Sequence, residues 1–459
     1  MTLFTIDQVL TATSGQLLVS GCTNFTGVST DTRTLQPGDL YVALHGERMD
    51  GHDFLTQARE RGAGGALIDQ RVPGIRPRHT VSGDWSVIEV TDTLYALGQL
   101  AAAHRRRFRL PIIGITGSAG KTTTKEMTAA ILAQGREVLH TAGNFNNEIG
   151  LPLTLFRLTR EHQAAVLEFG MRGRGQIAYL ASLARPTVGL VTNIGLTHLE
   201  LLGSQQEIAL AKAELLDELP PTALAILPKH DPFFSLLREH AGGPLMTIGE
   251  SADCDVYYSA LQLNEDGCAC FVLHHGEQSI PLRLSAPGRH QAQNALAAAA
   301  AALAIGAGAE EIQQGLTAYQ PEHGRMRVLH APGGYAVVDD SYNANPAAVR
   351  ATLEFLAEAP NAGRKIAILG DMRELGPRER ALHQEIGRYA MELGIDALLG
   401  VGELGQEYIS GAADSRAQWY PNNAAAAQAA RAQLSAGDLV LVKGSRAMKM
   451  EEIVAALAE

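Results

Sequence analysis

"GITGSAGKTTTKEM", residues 114–127, decides the fold. The run before it, "PIIGI" (111–115), reads as a buried strand, and "KTTTKEMTAAIL" (121–132) carries Met127, Ala130 and Ile131 at helical spacing. Gly117, Ser118, Ala119 and Gly120 therefore form a strand-to-helix turn. Backbone N–H groups at such a helix start point outward and carry about half a positive charge, which suits a polyphosphate. Lys121 is placed to reach the outer phosphates and the Thr122 hydroxyl to bind magnesium. The spelling is unusual, because Ile115 stands where the common loop has its first glycine and glycines sit at 114 and 117 instead.

Outward from this turn, strand-like runs alternate with helical ones. "AAVLEF" (164–169), "VGLVTN" (188–193) and "ALAIL" (223–227) follow, separated by amphipathic segments, as parallel βαβ units require. After about residue 320 the alternation restarts with "YAVVDD", "RKIAILGD", "ALLGVGE" and "DLVLVKG". Residues 1–90 are punctuated by Gly and Pro, with short apolar runs such as "LYVAL" and "GGALI". The expected fold is α/β in three domains: a small N-terminal α/β domain (1–90), a central P-loop ATPase-like domain with a mostly parallel sheet (91–320), and a Rossmann-like C-terminal domain (321–459).

Composition narrows the function. The chain has 459 residues, 46% hydrophobic and 19% charged, with a net charge of -11, which argues against a nucleic-acid partner because that needs a clustered basic surface. The one dense basic run, "HRRRFR" (104–109), reads as a solvated helix end. "MTLFTIDQVL" lacks the basic start of a signal peptide. The uncharged stretch 295–309 is shorter than the roughly 20 residues of a membrane span and reads as a buried Ala-rich helix. Cys22, Cys254, Cys268 and Cys270 form no CxxC pair, so reduced thiols in a cytoplasmic protein are expected.

Ligands of open parallel sheets gather outside the carboxyl ends of the strands. Glu168 ends one strand and His198 follows another, so both can share the Thr122 edge, where hydroxyl, carboxylate and imidazole would suit magnesium or manganese. In "VVDDSYNANP" (337–346) Asp339 and Asp340 end a strand, and Asn343 or Asn345 is placed to cap the next helix. Asp371 and Lys443 end neighbouring strands, so a cleft of both charge signs, suited to a zwitterionic substrate, is expected.

These residues resemble a known family. "TGSAGKTT" is similar to the ATP loop of the Mur ligases and folylpolyglutamate synthases, and "STDTRTLQPGDLYVALHGERMDGHDF", "TAGNFNNEIGLP", "TNIGLTHLELLGS", "AKAELL", "PGRHQAQNALAAAA", "DDSYNANP", "GDMRELG" and "VKGSR" extend the likeness across the chain. Among Mur ligases the resemblance is to members that join D-alanyl-D-alanine to UDP-MurNAc-tripeptide. It implies an ATP-dependent reaction through an acyl phosphate, with Gly117 to Thr123 (Thr123 included) on the phosphates. Thr122, Glu168 and His198 would serve magnesium, and Lys212 matches a lysine that is carbamylated in related ligases, though by itself it would pass for an exposed helix lysine. Asn294 matches an adenine-contacting asparagine, and Arg325 and Asp340 match nucleotide contacts from the C-terminal domain. Thr30, Asp31, Arg33, Gly46, Asp50, Gly51 and His52 match the region holding the uridine end, while Asn144, Asn146 and Asn147 would touch the sugar-diphosphate or peptide stem. The dipeptide pocket is expected near Tyr342, Asn343, Asn345 and Lys443. A monomer that closes its domains before chemistry is the implied form.

Two departures stand out. "PKHDPFF" replaces the Asn-Asp pair common after "ALAIL", and Gln291 replaces a more usual Asn. Two alternatives stay open: a sibling ligase adding one diamino acid, against which the absence of an Asp-Asn-Pro-Arg motif counts, and a non-catalytic nucleotide-binding homologue.

Overall fold

In the computed structural model the strand Ile112–Thr116 lies inside a nine-stranded sheet, flanked by Ala164–Glu168 and Val188–Val191 in parallel register. The structure describes residues 2–46, 48–69, 83–360 and 363–459; Glu47 of the 29–54 motif lies outside them. Both faces of the sheet are covered, so its strands alternate between two apolar cores. Ile113 and Ile115, with Ala164 and Val166, face the helices Lys121–Leu132 and His290–Leu303. Ile112, Ala165 and Leu167 face the opposite core, which includes residues of the helices Gln176–Ala184 and Gln205–Asp217. Each isoleucine, leucine or valine among them that is withdrawn from water contributes about 1.5–3 kcal/mol. Cys268–His275 and Gln278–Pro287 complete the sheet as an antiparallel hairpin.

A five-stranded sheet precedes this one and a six-stranded sheet follows it. In the last, Arg327–His330 is antiparallel and the other strands, Ala336–Asp340, Leu439–Lys443, Lys365–Gly370, Ala397–Val401 and Ala417–Tyr420, run parallel. The segment 295–309 is the buried Ala-rich helix and turn that the sequence predicts.

The basic run at 104–109 corrects one expectation. Helix Thr93–Arg105 lies between the first two domains, so His104 and Arg105 are buried rather than solvated. Arg105 Nε donates to the Ala184 carbonyl at 2.8 Å and His104 Nε2 bonds the Leu158 carbonyl at 3.0 Å. Only Arg106, Arg107 and Arg109 remain exposed, and Arg107 donates to the Leu3 carbonyl.

A candidate active site at the phosphate loop

The loop between strand and helix is held from one side by the strand end Thr192–Gly195. Asn193 accepts from the Ala119 N–H at 3.0 Å and donates to the Ala119 carbonyl at 3.1 Å, while the Ser118 hydroxyl bonds both backbone groups of Gly195. Gly117 lies at φ +149°, where a Cβ would fall 1.8 Å from Thr192 Oγ1; Gly120 lies at φ +78°, with Asn294 Oδ1 2.3 Å from a Cβ. Both approaches require glycine. The unusual spelling thus has a physical reason: the neighbouring strand end supplies the support. Gly120 is also the helix N-cap and offers no side chain to occupy the helix's first N–H groups, which leaves them for an anion.

Lys121 folds back onto the Gly117 carbonyl at 2.7 Å. Burial lowers its pKa, with Glu168 opposing the shift and Arg325 adding to it. Glu168, nearly fully buried, accepts from Asn146 Nδ2 at 2.7 Å through one oxygen, and its other oxygen is buried without a partner. Lys212 contradicts its exposed appearance: it is 2% exposed inside helix Gln205–Asp217, and burial together with the neighbouring Lys121 holds its pKa well below the ordinary lysine value. A buried amine biased toward its neutral form is a nucleophile for CO2, and the unpartnered Glu168 oxygen, which like Lys212 neighbours Lys121, is a vacant ligand; this donor set fits a hard divalent cation.

The C-terminal domain reaches this edge at two points. Arg325 Nη2 donates to Thr122 Oγ1 at 3.1 Å and stacks 3.9 Å above the Tyr342 ring. His198, the N-cap of helix Leu199–Leu202, meets Glu374 with Nδ1 to Oε2 at 2.5 Å. The two groups are in close contact without an aligned hydrogen bond between them.

Other predicted residues are used locally. Asp339 accepts from Gly324 N, Ser341 N and the Ser341 hydroxyl, which ties the domain linker to the strand. Asp340 forms a buried ion pair with Lys443, which also donates to the Asn343 carbonyl at 3.0 Å. Asp371 pairs with Arg373 at 2.9 Å. Both signs of charge expected at these strand ends are present, and these carboxylates and the lysine have partners within their own domain. Asn345 caps helix Pro346–Glu358 by accepting from Ala348 N, and Asn147 accepts from Gly150 N. Asn144 and Asn343 are exposed. Asn294 donates to Gln291 Oε1 at 2.9 Å, so the substituted glutamine orients it.

In the first domain Asp31 binds exposed Arg33 at 2.6 Å, which lowers the Asp31 pKa. Asp50 accepts from buried His52 at 2.7 Å, and the other His52 nitrogen accepts from Asp69 N. Gly46 and Gly51 close the same loop through Met49 and Leu44, and Thr30, the residue before Asp31, is partly buried. Sequence reasoning gave no role to Asn193, Glu374 or Asp231. Asp231, within "PKHDPFF", accepts from Ile194 N at 2.9 Å and so supports the strut of the phosphate loop. Asn193 and Glu374 lay inside quoted motifs, which was the available signal.

A phosphate loop on a parallel sheet, a buried lysine and carboxylate beside it, and a third domain whose arginine touches the loop define a nucleotide-dependent enzyme of multidomain α/β type. Residues 24–105 match the model described as Mur ligase family, catalytic domain, residues 115–302 the Mur ligase middle domain, and residues 324–446 the Mur ligase, glutamate ligase domain. The chain belongs to the Mur ligase family. It is 37% identical to the UDP-N-acetylmuramoyl-tripeptide--D-alanyl-D-alanine ligase of Escherichia coli, covering 99% of this chain and 98% of that one, and 40% identical to the ligase of the same name from Synechocystis, covering 94% and 91%. A crystal structure of MurF from Acinetobacter baumannii is similar with a TM-score of 0.91 at 34% identity, covering 99% of this chain and 98% of that one. The MurF ligase of Thermotoga maritima, solved in complex with ADP, is similar with a TM-score of 0.82 at 27% identity, covering 94% and 96%.

Proposed function

We propose that this chain joins D-alanyl-D-alanine to UDP-MurNAc-tripeptide with hydrolysis of ATP to ADP and phosphate. The observation that carries the reading is the phosphate loop with Lys121, Glu168 and Lys212 gathered beside it, in a chain similar over its whole length to ligases of that name. ATP would lie on the amides of Gly117 to Thr123, with Lys121 released from the Gly117 carbonyl to reach the outer phosphates. Asn294 would meet the adenine, while Arg325 and, behind it, Asp340 would approach the nucleotide from the C-terminal domain. The terminal carboxylate of the tripeptide attacks the γ-phosphorus and ADP leaves; the dipeptide amine then attacks the acyl phosphate, and phosphate leaves. Both steps bring anions together, so fixed N–H groups and cations lower their barriers.

Thr122, Glu168, His198 and a carbamate on Lys212 would hold magnesium, which when bound would offset the charge gathered on the phosphoryl oxygens. The N-terminal set Thr30, Asp31, Arg33, Gly46, Asp50, Gly51 and His52 would take the uridine end. Asn146, turned toward Glu168, and its neighbours Asn144 and Asn147 would guide the stem inward. Tyr342, Asn343, Asn345 and Lys443 would border the dipeptide. Four free cysteines favour a reducing, cytoplasmic setting, and no described helix is long and apolar enough to cross a membrane.

The test is an endpoint reaction with magnesium, ATP, UDP-MurNAc-tripeptide and D-alanyl-D-alanine, read by mass spectrometry, with UDP-MurNAc-dipeptide and free amino acids in parallel. Pentapeptide that requires the added dipeptide is the expected product. Turnover only with a single amino acid moves the chain to a sibling activity, and no product with any pair overturns the reading.

A further inference from the structure

The geometry points to Glu374 as a positioning residue for His198, acting from the opposite domain; this rests on the reading above, in which His198 serves the cation at the phosphate edge. His198 and Glu374 both lie in the left-handed region, at φ 57° and 65°. A bulky side chain rarely adopts that backbone, so each is held there by its surroundings. Glu374 Oε2 lies 2.5 Å from His198 Nδ1.

The two loops interlock beyond that pair. Glu200 N donates to the Glu374 carbonyl at 3.3 Å, and a Cβ on Gly376 would stand 3.2 Å from Glu200 Cα. Leu196, just before His198, packs against the core of the C-terminal domain. From below, the Glu374 loop is fixed by Arg373 N donating to Ser445 Oγ at 2.8 Å and Met372 N donating to His383 Nε2 at 2.9 Å.

A carboxylate packed 2.5 Å from Nδ1 restricts how the ring can turn. Because the carboxylate belongs to the other domain, His198 takes its working orientation only when the C-terminal domain is seated. Seating of that domain is thus read out twice at the same edge, by Arg325 on Thr122 and by Glu374 on His198. Cation binding and domain closure become one event.

The test uses the full chain with ADP and Mn2+ as a spectroscopic probe, comparing wild type, E374Q, E374G, H198A and H198A/E374Q. Glycine relieves the left-handed backbone, so E374G is expected to melt no lower than wild type. Its Mn2+ affinity in the ADP complex should nevertheless fall at least fivefold, with ADP affinity in the absence of metal unchanged. E374Q should lose less, and adding it to H198A should cost nothing further, since the two side chains act as one. Unchanged Mn2+ affinity in E374G, or losses in H198A and E374Q that add in the double variant, would overturn the proposal. If wild type with ADP binds no Mn2+ at all, the cation site itself is wrong, an outcome recognised from wild type alone.

Discussion

Arg325, on the linker into the C-terminal domain, donates from Nη2 to the hydroxyl of Thr122, the second residue of the phosphate-loop helix, at 3.1 Å. The same guanidinium stacks on Tyr342, so one side chain ties the nucleotide edge to the strand-end loop of the third sheet.

A hydrogen bond from a charged donor contributes about 1.5–3 kcal/mol. R325A should therefore lower kcat/KM for ATP by about 10- to 100-fold while the melting temperature changes little. R325K keeps the charge but loses the planar stack, and should recover only part of the loss. Steady-state kinetics on both variants decide this, and wild-type kinetics in R325A would remove the arginine from the site.

Gly117 has no room for a side chain. In G117A the new Cβ would meet Thr192 Oγ1 at 1.8 Å, with Thr192 Cβ at 3.0 Å and Thr192 N at 3.1 Å. The loop must shift, and a loss of about 2 kcal/mol or more is expected by urea unfolding, with ATP affinity lost in parallel. Adding T192A removes the hydroxyl but not the backbone contact, so it should restore only a fraction. A G117A protein with native stability and affinity would show the loop to be softer than its packing implies.

The strand, turn and helix around residue 117 were legible because local signals agreed: a buried apolar run, two glycines and a helical period in a row. Strand Ile112–Thr116 and helix Lys121–Leu132 fall where the sequence puts them. Lys212 was not legible as buried, since a lysine on a helix reads as solvated until the fold packs around it. The run 104–109 failed for the same reason, because an interface between domains swallows the helix end that charge density alone would expose. Asp340 and Lys443 were both singled out, yet only the parallel pairing of their strands shows that they neutralise each other. His198 could be placed after the strand Val188–Val191, whereas its neighbour Glu374 is 176 positions away in another domain and no local pattern connects them.

His383 supplies a pH dependence. It is fully buried, donates to the Glu379 carbonyl and accepts from Met372 N, and burial pushes its pKa down to about 4 from the ordinary 6.5. Between those values the unfolded chain binds a proton that the folded chain refuses. Stability therefore falls as pH drops from 6.5 toward 4, by up to about 3 kcal/mol for this one group. H383Q keeps an acceptor for Met372 N without titrating, and its urea midpoint should change less than that of wild type between pH 7 and 4.5. Equal pH slopes in the two proteins would exclude the histidine as the source.

The pair Asp340 and Lys443 should behave asymmetrically under mutation. Both are buried, and burial raises the Asp340 pKa against the pull of Lys443. K443A strands the carboxylate and should cost about 3–5 kcal/mol, whereas D340N/K443M removes both charges and should regain most of that. Denaturant melts of the single and double variants give the coupling directly. Additive losses would mean that the two side chains are independent despite their contact.

Asn193 accepts from the Ala119 N–H and donates to its carbonyl across 74 positions of chain. The shape of the phosphate loop is therefore inherited from two separate stretches of the gene at once. A change in the turn is tolerable only alongside a matching change at the end of the neighbouring strand, so this corner of the molecule is expected to drift by paired exchanges and to resist single ones.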